Sequence, residues 1–572
     1  MKRLIIVSIC MMLFPFICFA EDIYISETLQ GANTGTDCSN SHSTSWLNTS
    51  GNWANPKESG KIGPGDTAHL CGTITTQLTT KASGNSGSLI TILFESGAKY
   101  SNTTWTASTA AITINKNYIT LDGGTNGIIE ATDNGTTSAF GGTKTYNRNI
   151  DGVLINASNN VTVKNLTIRT IYDRLASSVD CIKVGYNIHS TGQSSNITIT
   201  GNTISDGYYG IYIVLTNSEN VTVNNNIITN TSTGINIAPG NTSSTGSNIN
   251  IYENDVRGGT KYDGVFDANC QTNGCSSSCL TDTWHHQDGI HLFSQGDTGW
   301  VNNVNVYNNY LQDFGTHSTS HIYIEYHGMQ NVKIYNNVLV NTGTNYASGG
   351  MIGIKSADGV KIYNNTLIGN YPNYNGNIGI FFNSSGSTYS QGSIVQNNII
   401  SGVKLFYGWN GTLGTDTIFT ADYNDNYNGG SSPYNNLSRD WWLAQGYDAN
   451  GATVNPQLDS NYKLTSSSPA SIKRGGANLS SIFTIDKDGI TRPGGTTAWT
   501  MGAYEYLSSD TISPIVTAFT IPSTASSSTI SISSFTATDD TAVTGYLVMN
   551  QLLLLLPAMR AGQAQLKPYI LF

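Results

Sequence analysis

The sequence predicts an all-β fold, a solenoid in which short strands are wound repeatedly into a parallel β-helix. Three observations predict it. A nine-residue segment, of which Asn331–Leu339 is the clearest example, occurs in eight similar copies between residues 160 and 400. Within each copy apolar and polar residues alternate for three or four positions, as in a strand with one buried face. Steps of 24 to 55 residues between copies are typical of stacked supersecondary units.

Each copy supplies the parts of one turn of such a solenoid. An Asn-Asn or similar pair follows the strand, and asparagine tolerates the left-handed backbone angles of a tight turn. A second alternating strand follows in most turns, as in Gly289–Leu292. We interpret the asparagines as ladders that stack in register. The copies are Asn160–Ile168, Asn196–Ile204, Asn220–Ile228, Asn248–Val256, Asn303–Leu311, Asn331–Leu339, Gly359–Leu367 and Gly392–Ile400.

Residues 1–20 have the pattern of a secretory signal peptide, since a basic start precedes an apolar run that ends at Ala20. We therefore expect cleavage near Ala20 and a secreted protein, either extracellular or at the cell surface or in the periplasm. Cys18 follows Ile17 rather than a small residue, which disfavours a lipid anchor. No later run reaches the ~18 apolar residues of a spanning helix, so the sequence predicts no transmembrane segment.

The composition is poor in charge and acidic. Charged residues make up 11% of the chain and the formal net charge is -10. Such a surface disfavours nucleic acid as a partner, and it repels a polyanionic substrate unless cations or local basic residues intervene. We expect a monomer whose partner is a polysaccharide or glycan, with no certain cofactor and Ca²⁺ as the alternative.

Six cysteines remain after removal of the signal peptide, and an even number in an exported protein favours disulfide bonds. We expect Cys38 to pair with Cys71, and a second, local pair among three cysteines of an insertion. A zinc site formed by these three with His285 or His286 is the alternative, although their spacing matches no standard zinc motif. The three are Cys270, Cys275 and Cys279.

The chain divides into further segments after the signal peptide. Residues 21–115 lack the regular repeat and are expected to form an N-terminal cap and the first turns, because an open end would expose unpaired backbone groups. Residues 116–420 carry the repeats, with an insertion at 257–287. Residues 421–506 are expected to form the last turns and a C-terminal cap, and residues 507–572 a linker and an incomplete module.

The repeats, together with Gly63–Thr67 before them and Ser468–Ala470 and Met501–Glu505 after them, resemble the right-handed parallel β-helix superfamily, the pectate-lyase-like fold. The resemblance covers roughly residues 60–506 and implies a right-handed solenoid. It implies no single activity, since that superfamily contains lyases, hydrolases, epimerases, phage tailspikes and adhesins.

The C-terminal tail differs from the rest of the chain. Ile515–Val548 resembles the opening strands of a bacterial immunoglobulin-like module, but it stops short of the ~100 residues of a complete sandwich. We therefore expect no stable domain there. The composition changes abruptly at Leu552–Leu556, and we interpret residues 549–572 as the product of a frameshift or sequencing error.

Histidines are concentrated where the repeat is interrupted, since six of the nine lie between His285 and His327. In a chain with so few ionisable side chains, this is the strongest functional signal. Strand alternation directs Ile290 and Leu292 to the core and His291 outward.

The register of the repeat predicts which outward side chains are neighbours. Strands of a parallel sheet lie ~4.8 Å apart, so we expect His291 beside Tyr323 and Phe293 beside Glu325. The same register predicts one outward column that would suit a polysaccharide lying along the solenoid axis, with His189 remote from it. Its other members are expected to be Lys355 on the following turn and Asn236, Tyr212 and Lys183 on the preceding turns.

The candidate residues fit two reaction classes. Proton abstraction beside a uronate carboxylate needs a base near neutral pH and a group that neutralises the carboxylate. For this reaction His291 and Tyr323 are the acid–base candidates. The residues expected to bind, position or neutralise the substrate are Glu325, His286, His327, Lys355, Tyr212, Lys183 and Phe293.

Hydrolysis instead needs two carboxylates ~5 to 9.5 Å apart, and Asp288 and Glu325 are the obvious pair. The segment Asp288–His291 resembles the Asp-Gly-Ile segment of polygalacturonases, but the other motifs of that family are not found. The sequence therefore predicts a secreted carbohydrate-active protein, a polysaccharide lyase acting on uronate-containing polymers. The alternatives are a hydrolase that uses this carboxylate pair and a non-catalytic extracellular glycan-binding or surface-structural protein.

Overall fold

Three long sheets of parallel strands, here called A, B and C, surround the hydrophobic core, and each turn of the chain visits them in that order. Such connections between parallel strands are right-handed. The computed structural model describes residues 20–103, 105, 110–132, 150–171, 173–174, 183–259, 287–294, 299–314, 318–342, 349–373, 376–507, 515–520, 524 and 532–538. The chain divides into two compact units between residues 505 and 506.

Sheet A has 14 strands within the described residues. Its alternation is that of the repeat, since Val304 and Val306 are fully buried and Asn305 between them is not. The strands are β1 (Asp22–Ser26), β2 (His42–Ser43), β3 (Thr67–Leu70), β6 (Ile90–Phe94), β9 (Ile119–Asp122), β12 (Val161–Lys164), β17 (Ile197–Thr200), β20 (Ser218–Asn224), β23 (Thr245–Tyr252), β26 (Trp300–Tyr307), β29 (Met329–Tyr335), β32 (Lys361–Tyr363), β35 (Ser393–Gln396) and β38 (Phe419–Asp422).

Sheet B follows sheet A after a two-residue turn in the regular repeats, as between Lys164 and Thr167. In the described part of the chain it has 12 strands. They are β4 (Thr73–Ile74), β7 (Lys99–Asn102), β10 (Ile128–Ala131), β13 (Thr167–Arg169), β18 (Thr203–Ser205), β21 (Ile227–Thr229), β24 (Asp255–Gly259), β27 (Tyr310–Phe314), β30 (Val338–Asn341), β33 (Thr366–Gly369), β36 (Ile399–Ser401) and β39 (Asp425–Tyr427).

Sheet C carries the histidine-rich segment and has 11 described strands. Ile290, Ile322, Ile352 and Ile380 pair from strand to strand and are fully buried, so the core positions stack in register. The strands are β5 (Leu78–Thr79), β8 (Ala110–Ile114), β11 (Asp151–Asn156), β16 (Tyr186–Thr191), β19 (Tyr209–Leu215), β22 (Thr233–Pro239), β25 (Gln287–Phe293), β28 (Ser318–Glu325), β31 (Ile352–Lys355), β34 (Ile378–Asn383) and β37 (Leu405–Trp409).

The few helices of the described residues lie near the two ends of the solenoid. They are α1 (Thr44–Leu47), α2 (Arg439–Ala444) and α3 (Ala470–Lys473), with 3-10 turns at Cys38–Asn40 and Ser50–Asn52. Trp442 of α2 is fully buried and stacks on Tyr407, whose strand is the last of sheet C. This aromatic contact covers the core beyond the last strands.

A ladder of buried asparagines stabilises the turns between sheets A and B, as the repeat predicted. The side-chain amide of each donates to the side-chain oxygen of the next at 2.9 to 3.0 Å. The residue before each one has left-handed backbone angles, for example Asn336 with φ 54°. The eight ladder residues are Asn202, Asn226, Asn254, Asn309, Asn337, Asn365, Asn398 and Asn424.

The segment from Arg474 to Glu505 packs along the outside of these turns. The side chain of Asn336 donates to the carbonyl of Ile485 at 2.8 Å, and that of Asn397 donates to the carbonyl of Ala477 at 2.8 Å. The segment therefore covers left-handed asparagines that would otherwise face solvent.

The N-terminal segment contains the predicted disulfide bond between Cys38 and Cys71, which joins positions 33 residues apart. Closing a loop of this length stabilises the folded state by about 3 to 4 kcal/mol. Replacing both cysteines by serine is expected to weaken the segment by about this amount. Hydrogen exchange of amides in residues 22–71 should then accelerate while that of sheet C does not, and equal exchange in both proteins would contradict the prediction.

The second compact unit, described by itself, contains two antiparallel strands, β40 (Ile515–Thr520) and β41 (Ser534–Thr538). Their apolar side chains are exposed, with Ile515 65% and Phe519 47% accessible. A single two-stranded ribbon is marginally stable in water. That the tail forms no stable domain stays a prediction.

Candidate functional site

The outward face of sheet C carries two parallel rows of functional side chains. Row 1 consists of the side chains that pair successively from β16 to β28: His189, Tyr212, Asn236, His291 and Tyr323. Row 2 lies two residues further along the strands and consists of Phe293, Glu325 and Lys355. Neighbours within a row are ~4.8 Å apart along the solenoid axis.

The predicted pairings at the centre of this face are confirmed, and two neighbouring predictions are wrong. His291 pairs with Tyr323 and Phe293 with Glu325, as expected. Lys355, predicted in the same column as His291, pairs instead with Glu325 in row 2, since Gly353 occupies the position next to Tyr323.

The preceding turns need the second correction. Lys183 lies in a short antiparallel ribbon formed by β14 (Asp173–Arg174) and β15 (Lys183–Val184), outside the three sheets. The position beside Tyr212 belongs to His189, which was predicted to be remote. The strand of this turn begins at Tyr186, so Ile188 rather than Val184 provides the core residue. His189 is therefore part of the candidate site.

Glu325 is the centre of the polar contacts in the two rows. One oxygen, Oε1, accepts a hydrogen bond from Lys355 Nζ at 2.6 Å. The other, Oε2, lies 3.3 Å from His291 Nε2. Burial alone would raise the pKa of Glu325, but the hydrogen bonds and charges of His291 and Lys355 lower it to about 2. The carboxylate is thus ionised at neutral pH, and as an acceptor it orients Nε2–H of the imidazole.

Lys355 is the nearest cation to this carboxylate and remains partly exposed. Burial alone would lower its pKa, but the hydrogen bond to Glu325 and the charge of Glu325 outweigh burial and raise that pKa. Its ammonium also lies 5.3 Å from the centre of the Tyr326 ring, a cation–π distance. A charged amine next to a carboxylate can exchange partners with an incoming anionic group.

Asp288 lies on the inner side of His291. It is fully buried, its Oδ1 accepts a hydrogen bond from the Ser320 amide at 2.8 Å, and its Oδ2 is 3.7 Å from His291 Nδ1. Burial raises the pKa of Asp288 to about 7, against the lowering effects of the charge on His291 and the bond from Ser320. Asp288 can therefore respond electrostatically to a proton on His291, but it does not reach a ligand on the sheet surface.

Tyr323 is 2% exposed, and its ring lies 5.3 Å from that of His291. Burial, together with the charges of Glu325 and Asp288, raises the pKa of Tyr323 well above its usual value. The phenol therefore stays protonated at neutral pH. Phe293 completes the aromatic surroundings, with its ring edge-on to His291 at 5.8 Å.

The N-terminal part of the same face is a compact stack of rings. Tyr186, Tyr209 and Tyr212 are nearly parallel, with centroids 4.8 to 5.5 Å apart. His189 stacks on Tyr212 at 5.5 Å, and its Nδ1 lies 3.3 Å from Asp151 Oδ2. Because the rings cover one another's faces, Tyr212 offers a ligand its edge and hydroxyl rather than the face expected from the sequence.

Sequence reasoning missed Asp151 and His189 as a carboxylate–imidazole pair. Asp288 and His291 form a second such pair three turns further along the same sheet. The first pair joins residues on two successive strands, whereas the second lies within one strand at a spacing of three. A search for histidines with an acidic neighbour on the previous turn would have found the pair of Asp151 and His189.

Other predicted residues lie apart from the two rows or outside the described residues. His327 is at the turn after β28, where Nδ1 lies 2.9 Å from Asp358 Oδ2. His321 is buried, its Nε2 donates to the carbonyl of Val340 at 3.0 Å, and burial lowers its pKa to about 4, so its role is structural. The remaining ones, outside the described residues, are His285, His286, Cys270, Cys275 and Cys279.

Within the described residues, no group of three or more His, Cys, Asp and Glu side chains is arranged to hold a metal ion. Calcium therefore stays a prediction from the sequence. None of the helices in the same part of the chain is long and apolar enough to cross a membrane.

Solved structures that resemble this chain do so at low sequence identity. No protein-family model matches the chain, and no curated protein matches it in sequence. A complex of XylC with xylose is 11% identical, with a TM-score of 0.47 over 85% of this chain and 98% of that one. Pectate lyase Pel9A is 13% identical, with a TM-score of 0.39 over 85% and 97%.

A GH136 lacto-N-biosidase from Eubacterium ramulus is 11% identical, with a TM-score of 0.44 over 69% of this chain and 67% of that one. The chain's own arrangement of strands establishes its fold. Its three long parallel sheets make it a right-handed parallel β-helix protein, the class that the repeat predicted.

Proposed function

We propose that this β-helix protein is carbohydrate-active, and that it is a polysaccharide lyase acting on uronate-containing polymers at the outward face of sheet C. The observation that carries the proposal is the ionised Glu325 held between His291 and Lys355, with the neutral phenol of Tyr323 beside the imidazole. These four side chains provide a base, an acid and a cation within three successive turns.

The proposed reaction is a β-elimination. His291 removes the proton on C5 of the uronate, the electron pair forms a C4–C5 double bond, the C4–O4 bond breaks, and the leaving oxygen takes a proton from Tyr323. Asp288, 3.7 Å from Nδ1, stabilises the imidazolium that forms. Lys355 neutralises the uronate carboxylate, which makes the C5 proton more acidic.

Burial separates this reaction from hydrolysis. A glycoside hydrolase needs both carboxyl groups in contact with the sugar or its water. Glu325 contacts the partly exposed side chain of Lys355, whereas Asp288 is fully buried. The structure therefore weakens the hydrolase alternative.

Glycan binding without cleavage is the second candidate. Its supporting observation is that His291 is 8% exposed and Tyr323 2% exposed, so both offer little surface to a substrate. The edges of the stacked tyrosines and the amide of Asn236 would then serve as hydrogen-bonding positions along the row.

The two candidates are distinguished by an activity screen of the purified protein against polygalacturonate, alginate and neutral polymers. A lyase generates an unsaturated product that absorbs in the ultraviolet, together with one new reducing end for each bond cleaved. Reducing ends without the absorbance would indicate hydrolysis instead. Retarded migration in gels containing a polymer, without either product, would support binding alone and reject the lyase proposal.

A further inference from the structure

A second candidate ligand site lies outside the two rows, at the corner where the chain passes from sheet C to sheet A. A groove of about 270 Å³ is present there. Its lining includes Trp300, Glu219, Ser247, Asn302 and Asn217. None of these side chains takes part in the proposed reaction.

Trp300 is an unusual residue for the surface of this solenoid. It is 45% exposed, whereas Trp105, Trp442 and Trp499 are fully buried. Among the described residues, its ring stacks on no other aromatic ring and its indole N–H has no hydrogen-bond partner. A large amphipathic ring left open in this way is typical of a binding surface rather than of a folding core.

Polar side chains beside Trp300 are spaced regularly by the sheet. Glu219 pairs with Ser247, and Ser247 pairs with Asn302, so the three follow one another at ~4.8 Å. They lie two residues along the strands from the Thr245–Trp300 pair, which is ~7 Å. The groove therefore has an apolar ring on one side and a line of hydrogen-bonding groups on the other.

These polar groups retain free donors and acceptors. Asn217 uses its side-chain oxygen to accept from the hydroxyl of Thr245 at 3.1 Å, which leaves its amide N–H₂ available. Asn302 likewise accepts from Asn331 at 3.2 Å through its oxygen. Glu219 is exposed and makes no ion pair among the described residues.

We propose that this groove, which we call the Trp300 groove, binds a neutral sugar unit of a polysaccharide. A pyranose ring has an apolar C–H face that fits an indole and a rim of hydroxyls that fits amides and a carboxylate. Among the described residues of the lining, Glu219 is the one charged side chain, and it repels a uronate carboxylate. The ligand class is therefore a hydroxyl-rich, uncharged glycan segment.

The Trp300 groove and row 2 include residues of two strands that follow one another in the chain. Row 2 ends β25 at Phe293, and Trp300 begins β26, the next strand. A polymer with both neutral and acidic units could therefore contact the two surfaces together. Binding in the groove does not depend on the lyase reaction and can be tested without it.

The test is electrophoresis of wild-type and variant proteins in native gels that contain barley β-glucan, xylan, galactomannan or polygalacturonate. Wild type is expected to be retarded by at least one of the neutral polymers. Trp300→Ala should weaken that retardation about 10-fold or more in Kd, as for the loss of a central aromatic contact. Circular dichroism should show unchanged strand content, because the ring is exposed.

Trp441→Ala is the matched control, since Trp441 is also exposed, at 38%, but lies outside the groove. It should bind like wild type. Glu219→Gln should keep neutral binding and increase retardation by polygalacturonate. His291→Ala should retain groove binding even if it loses cleavage, which separates this proposal from the lyase proposal. Equal retardation of wild type and Trp300→Ala, or no retardation of wild type by any neutral polymer, would overturn the assignment.

Discussion

Replacing His291 by alanine is expected to lower the turnover of a uronate polymer by about 10² or more, as for loss of a group that transfers a proton in the rate-limiting step. The imidazole is held by Glu325 at 3.3 Å on one nitrogen and faces Asp288 at 3.7 Å on the other. Alanine leaves the carboxyl groups of Glu325 and Asp288 in place but removes the imidazole that lies between them. Initial rates of ultraviolet absorbance measure the effect.

The control for this variant is His69→Ala. His69 in β3 is also placed between two carboxylates, with Nδ1 2.6 Å from Glu95 and Nε2 3.0 Å from Asp22, and it stacks on Tyr24. Its exposure of 9% is close to the 8% of His291. It lies on sheet A, near the N-terminal end. His69→Ala is therefore expected to cost similar stability and no turnover.

Turnover lost equally in the two variants would indicate a stability effect rather than proton transfer. Tyr323→Phe adds a second criterion. It removes the proposed proton donor while keeping the ring that packs beside His291. A double variant, His291→Ala with Tyr323→Phe, that kept full activity would falsify the catalytic assignment and favour glycan binding alone.

The central part of the site was predictable because the repeat determines the register. Once Ile290 and Ile322 are assigned to the core, the strand period of two places His291 and Tyr323 outward and side by side. Burying the isoleucines fixes this choice, since a one-residue shift would move every apolar side chain to the surface. The structure therefore reproduces these pairings.

The error on the turns before His291 occurred where residues 170–185 separate β13 from β16 and interrupt the repeat. Val184 and Ile188 are both β-branched candidates for the same core position. Sequence alternation alone cannot choose between them, and the choice decides whether Lys183 or His189 enters row 1. The structure selects Ile188 because its strand pairs on both sides, with β11 and β19.

Side-chain orientation was the other feature that the sequence could not provide. Alternation shows that Tyr212 points outward, but not that it stacks on Tyr186 and Tyr209 and so hides its faces. It also does not show that Lys355 reaches Glu325. These contacts depend on rotamers, which follow from neighbours on several strands together.

Removing one side chain of the asparagine ladder is expected to lower the stability of the protein more than removing any side chain of the candidate site. Asn337 is fully buried, and its amide N–H₂ donates to the carbonyl of Val306 and to Asn365, both at 2.9 Å. Its oxygen accepts from the backbone and the side chain of Asn309, both at 3.0 Å. Alanine would leave several buried groups without partners.

Each buried polar group left unpaired costs about 1 to 3 kcal/mol, so Asn337→Ala is expected to lower the free energy of unfolding by about 3 to 5 kcal/mol. Asn305→Ala is the control, because Asn305 lies on the outer face of the preceding turn and makes one part-buried side-chain bond, to Asn250 at 3.1 Å. That variant should lose about 1 kcal/mol or less. Urea unfolding followed by circular dichroism measures both, and equal midpoints for the two variants would show that the ladder fills the turns without stabilising them.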